Sequence, residues 1–238
     1  MALSHAAPWG AEPHERGAVL SRAADLYEEN YGEFFALLTR EAGKTLPDCV
    51  AELREAVDFL RYYAAQALHL TAPPRGIWSC VSPWNFPLAI FSGQIAAALA
   101  AGNAVIAKPA EQTPLIAHRA VTLMHEAGVP KSAIQLLLGG GDIGAAATSD
   151  RRVNGVAFTG STATALKIRA AMAKNCLPGT PLIAETGGLN AMIVDSTALP
   201  EHAVRDILNA SFRSAGQRCS ALRCLYVQED IADKLLDM

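Results

Sequence analysis

The cysteine at position 219 is the first side chain in this sequence that could act as a nucleophile. Cys219 lies in a predicted loop between a helix that ends near Gly216 and the next strand, with Arg218 and Arg223 close by. Cationic neighbours lower the pKa of a thiol and favour the reactive thiolate, whereas a lone cysteine is more often an inert small hydrophobic residue. Cys219 is therefore a candidate nucleophile with a structural alternative.

Two further polar side chains follow predicted apolar strands. Glu185 comes after the apolar residues 181–184 and before a flexible Thr-Gly-Gly segment. Apolar surroundings would raise its pKa toward that of a general base, although glycine N–H groups could equally hold it as a structural carboxylate. Asn85 lies between Pro83 and Pro87, where its amide is either a satisfied turn residue or a preorganised donor to a developing oxyanion.

Two glycine-containing turns that follow predicted strands could bind phosphate groups. Residues 139–144 fit the Gly-x-Gly-x-x-Gly pattern, but no acidic residue ends a second strand about 20 residues further on, and a tight turn explains these glycines equally well. Residues 158–162 read Phe-Thr-Gly-Ser-Thr. There Gly160 permits close backbone approach, and Ser161 with the helix N-terminus offers donors to a diphosphate or simply caps the helix. Together the two turns favour dinucleotide binding.

A lysine and a carboxylate follow the predicted strand 104–107. Lys108 and Glu111 could form a solvated turn, or they could hold the vicinal hydroxyls of a ribose at the strand end. A carboxylate there would repel a 2′-phosphate, so NAD is favoured over NADP.

Other motifs carry no site. Gly43-Lys44-Thr45 resembles the end of a phosphate loop, but Leu38 stands where the first glycine belongs and a helix precedes it. We therefore exclude a nucleotide site at Lys44. The six histidines show no metal-ligand spacing, so no metal site is predicted.

The elements that must position these residues alternate between strands and helices after a helical N-terminal layer, in which Val50, Leu53, Val57 and Leu60 form the apolar face. Strands are predicted over 77–81, 104–107, 134–138, 153–158, 182–184, from Ala191 and over 222–228. Helices are predicted over 88–101, 115–127, near Ile143, after Ser161, over 200–214 and after 228. Thr113 is expected to cap the helix 115–127, which ends at Gly128. This alternation predicts an α/β fold with a mostly parallel sheet covered on both faces, whose ligands lie at the carboxyl ends of strands.

Placed at such strand ends, these groups could perform one coherent reaction. The Cys219 thiolate would add to an aldehyde, the Asn85 amide would stabilise the oxyanion, hydride would leave to a nicotinamide, and the Glu185 carboxylate would activate the water that hydrolyses the thioester.

The chain resembles the aldehyde dehydrogenase superfamily from about Gly17 to its end. Five motifs occur in the order found in that family: 83–87, 108–111, 158–162, 185–188 and 216–219. Within the superfamily, Ala184 to Gly188 and Ala215 to Arg223 are similar to the glutamate semialdehyde (pyrroline-5-carboxylate) dehydrogenase module of bifunctional proline utilisation proteins. Leu189, where Gln or Lys is usual, and Ala165, where glycine is common, depart from the family.

The resemblance implies a role for each matching residue. Cys219 would be the nucleophile, Glu185 the general base and Asn85 the oxyanion donor, with Ser220 and Phe86 contacting the substrate. A further set would bind NAD: Pro83, Trp84, Lys108, Glu111, Gly160, Ser161, Thr186 and Gly187. It also implies that the phosphates lie at the 158–162 turn, so that the 139–144 turn is only a neighbour.

The resemblance further implies a Rossmann-like NAD-binding domain with N-terminal helices over 1–184 and the beginning of a second α/β catalytic domain over 185–238. We expect a fragment truncated at both ends, because the chain stops inside a helix and lacks the family's later strands. The complete protein is expected to be a homo-oligomer acting on a small aldehyde. Two alternatives stay open: a dehydrogenase for another semialdehyde, and an inactive NAD-binding or interaction fragment.

Composition excludes several classes of protein. The 238 residues are 51% hydrophobic and 18% charged, with a net charge of -3, which excludes disorder and provides no basic surface for nucleic acid or an anionic membrane. The uncharged stretch 76–107 contains proline, asparagine and glutamine, so we predict a buried strand and helix there and no membrane span. Five cysteines without a Cys-x-x-Cys pair, and no secretory signal, predict a reducing cytoplasm.

Overall fold

The computed structural model describes residues 2–238 of the chain. These residues form two compact units, of which the first ends at Glu185 and the second comprises Thr186–Met238. The chain contains a five-stranded sheet and a separate two-stranded sheet.

The first unit alternates helices and strands after its N-terminal helices. Its helices are α1 (Ala2–His5), α2 (Pro13–Glu29), α3 (Tyr31–Ala42), α4 (Leu46–Ala67), α5 (Ala89–Ala100), α6 (Pro114–Ala127), α7 (Gly141–Ser149) and α8 (Thr162–Asn175). Its strands are β1 (Ile77–Val81), β2 (Ala104–Lys108), β3 (Ile134–Leu136), β4 (Val153–Gly160) and β5 (Leu182–Thr186). The α/β fold predicted from the sequence is thus confirmed.

The five strands lie in the order β3-β2-β1-β4-β5. β1 pairs in parallel with both β2 and β4, and β2 pairs in parallel with β3. The chain therefore moves outward from β1 to β3 and returns to the other side of β1 with β4. This reversal is the topological switch point of a doubly wound sheet, where ligands bind beyond the carboxyl ends of the strands.

The buried apolar side chains of the first unit form two clusters. The larger cluster joins helices α2 to α6 with β1 to β3, and the smaller one joins β4 with α8. β2 is buried along its whole length, which explains its uninterrupted apolar run. The uncharged stretch 76–107 is accounted for by β1, α5 and β2.

The N-terminal helices cover the sheet largely as the apolar spacing predicts. On α4, Leu53, Val57 and Leu60 are buried, but Val50 is 44% exposed and lines an open groove with Phe59 and Tyr62. The prediction that Val50 belongs to the buried face was therefore wrong, because the buried stripe of α4 runs through Cys49 and Leu53 and Val50 lies beside it.

The start of α6 also differs from the expectation. Thr113 occupies the N-cap position before Pro114, but its side chain makes no capping hydrogen bond. The carboxylate of Glu41, from α3, accepts the backbone N–H groups of Leu115 and Ile116, each at 2.9 Å. A residue distant in sequence thus caps this helix, while Gly128 ends it at φ +115° as predicted.

The second unit pairs β6 (Asn190–Val194) in parallel with β7 (Leu222–Val227). Between them lie α9 (Pro200–Phe212) and a short 3-10 turn (Arg213–Gly216), and α10 (Glu229–Leu236) follows. The predicted helix 200–214 ends earlier, at Phe212, because Arg213 leaves the helical conformation with ψ 143° and Ser214 then has φ 52°.

No helix within residues 2–238 is both long and apolar enough to cross a lipid bilayer.

Candidate functional site

Three strands of the first unit end side by side at one edge of the sheet. The register pairs Val81 of β1 with Lys108 of β2 on one side and with Phe158 of β4 on the other. Beyond β1, the Ser82 N–H donates to the Lys108 carbonyl oxygen at 3.2 Å. The segments that follow these strands therefore start from adjacent positions.

Lys108 and Glu111 form an ion pair at this edge. Lys108 Nζ lies 3.5 Å from Glu111 Oε2, with the lysine side chain 5% exposed and the glutamate 55% exposed. The Glu111 backbone N–H lowers the pKa of the Glu111 carboxyl most strongly; burial opposes this effect, and the Lys108 ammonium lowers the pKa further. The result is a carboxylate that faces solvent and is held by a buried cation.

The 139–144 turn lies beside the stem of Lys108. A Cβ on Gly144 would be 3.6 Å from the Cδ and Cε atoms of Lys108. Gly139 has φ +152°, and a side chain there would overlap Ile143. These glycines thus permit a tight turn into α7, which is the alternative to phosphate binding that the sequence left open for this motif.

The second glycine turn joins β4 to α8. Ser161 is the N-cap of α8: its Oγ accepts the Thr164 N–H at 3.1 Å and donates to Thr164 Oγ1 at 2.9 Å. A Cβ on Gly160 would be 2.6 Å from the Phe158 ring, so the glycine is required by that ring. The turn still presents the N-terminus of a 14-residue helix beside the switch point.

Asn85 lies in the loop 82–88 between β1 and α5. Pro83, Asn85 and Phe86 are partly buried, and Trp84 is 38% exposed. The loop is attached to the sheet at its first residue and to Glu52 at its last, because the Glu52 carboxylate accepts the backbone N–H groups of Leu88 and Ala89.

Glu185 and its neighbours end the fifth strand. Glu185 is exposed near the end of β5, followed by Thr186, which is partly buried, and Gly187, which is exposed. The apolar surroundings expected for Glu185 are not provided by the described residues.

Cys219 lies in the second unit, in a loop of unusual backbone conformation. Ser214 and Ala215 both have φ 52°, and Gly216 has φ 66°. The Arg223 guanidinium donates to the Gly216 carbonyl oxygen at 2.6 Å, and Asn190 Nδ2 donates to the Cys219 carbonyl oxygen at 2.6 Å. These bonds fix the backbone on both sides of the thiol, while Cys219 and Ser220 themselves are exposed.

The structure thus gathers the residues predicted in the first unit at one edge of its sheet. The Lys108–Glu111 pair, the 158–162 turn and the Asn85 loop all lie at the ends of β1, β2 or β4, as the sequence predicts. Cys219 and Ser220 belong to the second unit, together with Thr186 and Gly187. The convergence of Cys219 with Asn85 and Glu185 stays a prediction.

Residues 2–238 match the sequence profile of the aldehyde dehydrogenase family. The chain belongs to that family. Its sequence is 57% identical to the bifunctional protein PutA of Klebsiella aerogenes, over 100% of this chain and 19% of the relative. It is 36% identical to 1-pyrroline-5-carboxylate dehydrogenase of Anoxybacillus flavithermus, over 95% of this chain and 48% of the relative. The chain therefore spans about half of one relative and about a fifth of the other.

Solved structures of the family have the same fold. The betaine aldehyde dehydrogenase of Staphylococcus aureus, in complex with NAD+ and with a BME-modified cysteine, superposes with a TM-score of 0.93 at 32% identity, over 99% of this chain and 52% of that chain. The resemblance inferred from the five motifs is confirmed at the level of family and fold.

Sequence reasoning missed two groups at the edge of this aldehyde dehydrogenase sheet. Gln94 of α5 donates to Thr159 Oγ1 at 3.0 Å and so ties the helix to the end of β4. The other group is Glu52, whose position under the Asn85 loop depends on the packing of α4. An amide within an otherwise apolar helix was the available signal for Gln94, whereas Glu52 gave none.

Among residues 2–238, no group of three or more His, Cys, Asp or Glu side chains could hold a metal ion.

Proposed function

We propose that this chain forms the cofactor-binding part, and the beginning of the catalytic part, of an NAD-dependent dehydrogenase that oxidises an aldehyde to a carboxylate. The observation that carries the proposal is the arrangement at the switch point of an aldehyde dehydrogenase family sheet, where a buried lysine holds an exposed carboxylate at the same sheet edge as the N-terminus of α8. The high identity to PutA and to 1-pyrroline-5-carboxylate dehydrogenase supports L-glutamate γ-semialdehyde, in proline catabolism, as the substrate.

The residues at this edge fit a nicotinamide dinucleotide. The buried Ser82 hydroxyl has no hydrogen-bond partner among the described residues, and the Ser82 N–H contacts the Lys108 carbonyl oxygen. An unsatisfied buried hydroxyl is costly unless a ligand completes it. Lys108 and Glu111 would hold the ribose hydroxyls, and Gly160 and Ser161 would face the diphosphate at the α8 N-terminus.

The negative charge of Glu111 supports NAD over NADP. Its carboxylate is ionised at neutral pH, because its backbone N–H and Lys108 both favour the charged form. A 2′-phosphate placed against it would experience like-charge repulsion.

The chemical steps follow from the side chains of the chain. The Cys219 thiolate adds to the aldehyde carbon, and the Asn85 carboxamide donates a hydrogen bond to the oxyanion that forms. When bound, NAD supplies the hydride acceptor that turns this adduct into a thioester. Glu185 then takes a proton from water, which attacks the thioester and releases the carboxylate and the Cys219 thiolate.

The proposal also includes the substrate class, the oligomeric state and the cellular compartment. The substrate is a small aldehyde, the complete protein is a homo-oligomer, and the compartment is the reducing cytoplasm. The five cysteines are free thiols, which agrees with a reducing compartment.

The test is a pair of cysteine substitutions in the complete protein. Cys219→Ala should abolish aldehyde oxidation while NAD binding, measured by calorimetry, is kept, because the thiol forms the covalent adduct and does not hold the dinucleotide. Cys224→Ala is the matched control, since this cysteine lies five positions away in β7 and should keep both properties. Oxidation that survives Cys219→Ala, or loss of NAD binding without loss of oxidation, would contradict the proposal.

A further inference from the structure

A buried ion pair lies beneath the Asn85 loop. Lys44, in the turn after α3, places its Nζ 2.8 Å from Glu52 Oε2 on α4, and the two side chains are 3% and 1% exposed. This burial is inconsistent with the phosphate-loop pattern that the sequence suggests for Lys44, because the ammonium faces Glu52 and not solvent. The proposed aldehyde chemistry makes no direct use of either residue.

Glu52 caps the helix that follows the loop. Its Oε1 accepts the backbone N–H of Leu88 at 2.9 Å and that of Ala89 at 3.4 Å. Leu88 is the N-cap of α5 and provides no side-chain acceptor of its own. A carboxylate is favoured at a helix N-terminus, where free N–H groups and the helix dipole carry positive charge.

Lys44 holds the middle of the loop. Its Nζ lies 4.2 Å from the centroid of the Phe86 ring, within the range of a cation–π contact. Phe86 is the residue next to Asn85. The loop 82–88 is therefore attached to the sheet through Ser82, to Lys44 through Phe86, and to Glu52 through Leu88.

Stability alone does not explain why the charges of Lys44 and Glu52 are buried. A buried ion pair is often no more stable than well-packed apolar residues, whereas it constrains geometry through its charge-assisted bonds. An oxyanion donor must be placed to within a few tenths of an ångström, since hydrogen bonds weaken steeply with misplacement.

We propose that the Lys44–Glu52 pair is a positioning device that holds the 82–88 loop so that Asn85 presents its carboxamide to the developing oxyanion. The role depends on the proposed aldehyde chemistry. Lys44 and Glu52 are positioning residues that act through Asn85.

The test is a double-mutant cycle in the complete protein. Glu52→Gln keeps the size of the side chain but removes the charge that pairs with Lys44, and it should lower kcat by up to about 10²-fold with NAD affinity unchanged. In the Asn85→Ala background the same substitution should change kcat by no more than about twofold, because the group through which it acts is gone. If Glu52→Gln lowers kcat by the same factor with and without Asn85, the proposal is overturned.

Glu41→Gln is the matched control. Glu41 caps α6 by the same geometry, with two backbone N–H groups at 2.9 Å, and makes no bond to the 82–88 loop. With NAD at saturation, Glu41→Gln should leave kcat unchanged. An equal fall of kcat in both variants would show a general loss of structure and would overturn the positioning role.

Hydrogen–deuterium exchange of the peptide that covers 82–89 adds a measurement without turnover. Exchange there should be faster in Glu52→Gln than in Glu41→Gln, and unchanged exchange would overturn the proposal. If the unmodified protein oxidises no aldehyde, the proposed function fails and the positioning role with it. The exchange measurement would then still show separately whether Glu52 holds the loop.

Discussion

The two units of this chain differ in how completely they bury their apolar side chains. In the first unit, β2 is fully buried and residues such as Leu99, Ile106 and Leu123 have almost no exposed surface. In the second unit, Leu189 and Ile193 are more than 80% exposed and Phe212 is 69% exposed. A two-stranded sheet cannot bury both of its faces by itself. The first unit therefore has its own core, whereas the second presents apolar surface.

This difference places the predicted chemistry in two environments. The Lys44–Glu52 pair, the Lys108–Glu111 pair and the Asn85 loop all belong to the well-packed first unit. Cys219 lies in the less buried unit, where the side chains of Arg223 and Asn190 donate hydrogen bonds to backbone carbonyl oxygens of its loop. Matched changes in the two units can be compared by native-state hydrogen exchange, which reports the local free energy of opening.

The largest difference in stability between the two units is expected when one member of an ion pair is replaced. Lys44→Met leaves the buried Glu52 carboxylate unpaired and should lower the local free energy of opening in α4 and α5 by about 3–5 kcal/mol. Arg205→Met removes an exposed contact of 3.7 Å to Asp206 in α9 and should change stability by no more than about 0.5 kcal/mol. Equal losses at the two positions would refute the contrast between the units.

A smaller difference is expected for apolar truncations. Leu99→Ala, in the core of the first unit, should cost about 2–5 kcal/mol because it creates a cavity in α5. Ile193→Ala, at a side chain that is 81% exposed in β6, should stay within about 0.5 kcal/mol. In the complete protein, a large loss for Ile193→Ala would show that another part of the protein covers this face.

The smallest expected difference between the two units is the loss of stability at low pH. The Arg152 guanidinium, which donates to Asp150, lowers the pKa of that carboxyl from 3.8 to about 2. Because folding lowers this pKa, the stabilisation is present above about pH 3.8 and is lost as the pH falls to about 2. Asp150→Asn should therefore reduce stability at neutral pH, with the difference from the unmodified protein disappearing near pH 2.

Asp195 is the counterpart in the second unit. The Thr197 hydroxyl and backbone N–H lower the pKa of its exposed carboxyl through hydrogen bonds. Asp195→Asn should change stability less than Asp150→Asn does across the same pH series. A larger effect for Asp195→Asn would indicate that its surroundings are less exposed in the complete protein.

Local patterns predicted most of the elements. β1 occupies the predicted residues 77–81, and β2 and β4 only extend one or two residues beyond the prediction. Leu138, predicted to end the third strand, is instead 50% exposed, because β3 pairs with β2 only through Leu136. Strand centres follow from apolar runs that can be read locally, whereas strand ends depend on where the neighbouring strand stops.

The positions of some candidate site residues could also be predicted from the sequence, because local apolar runs show where strands lie. Lys108, Glu111, Gly160, Ser161 and Asn85 follow strand ends, and parallel strands bring their carboxyl ends to one edge. The sequence showed no sign that Glu41 caps α6 or that Glu52 caps α5. These contacts join residues distant along the chain and arise from helix packing.

The sequence alone determined the family, the alternation of strands and helices, and the order of the five motifs, because hydrophobic periodicity, glycine and proline act over short distances. The tertiary structure decided that Lys44, in a motif resembling a phosphate loop, is a buried partner of Glu52 beneath the Asn85 loop. Burial and ion pairing depend on which helices pack together. That choice is made by the whole core and is not encoded in any local segment.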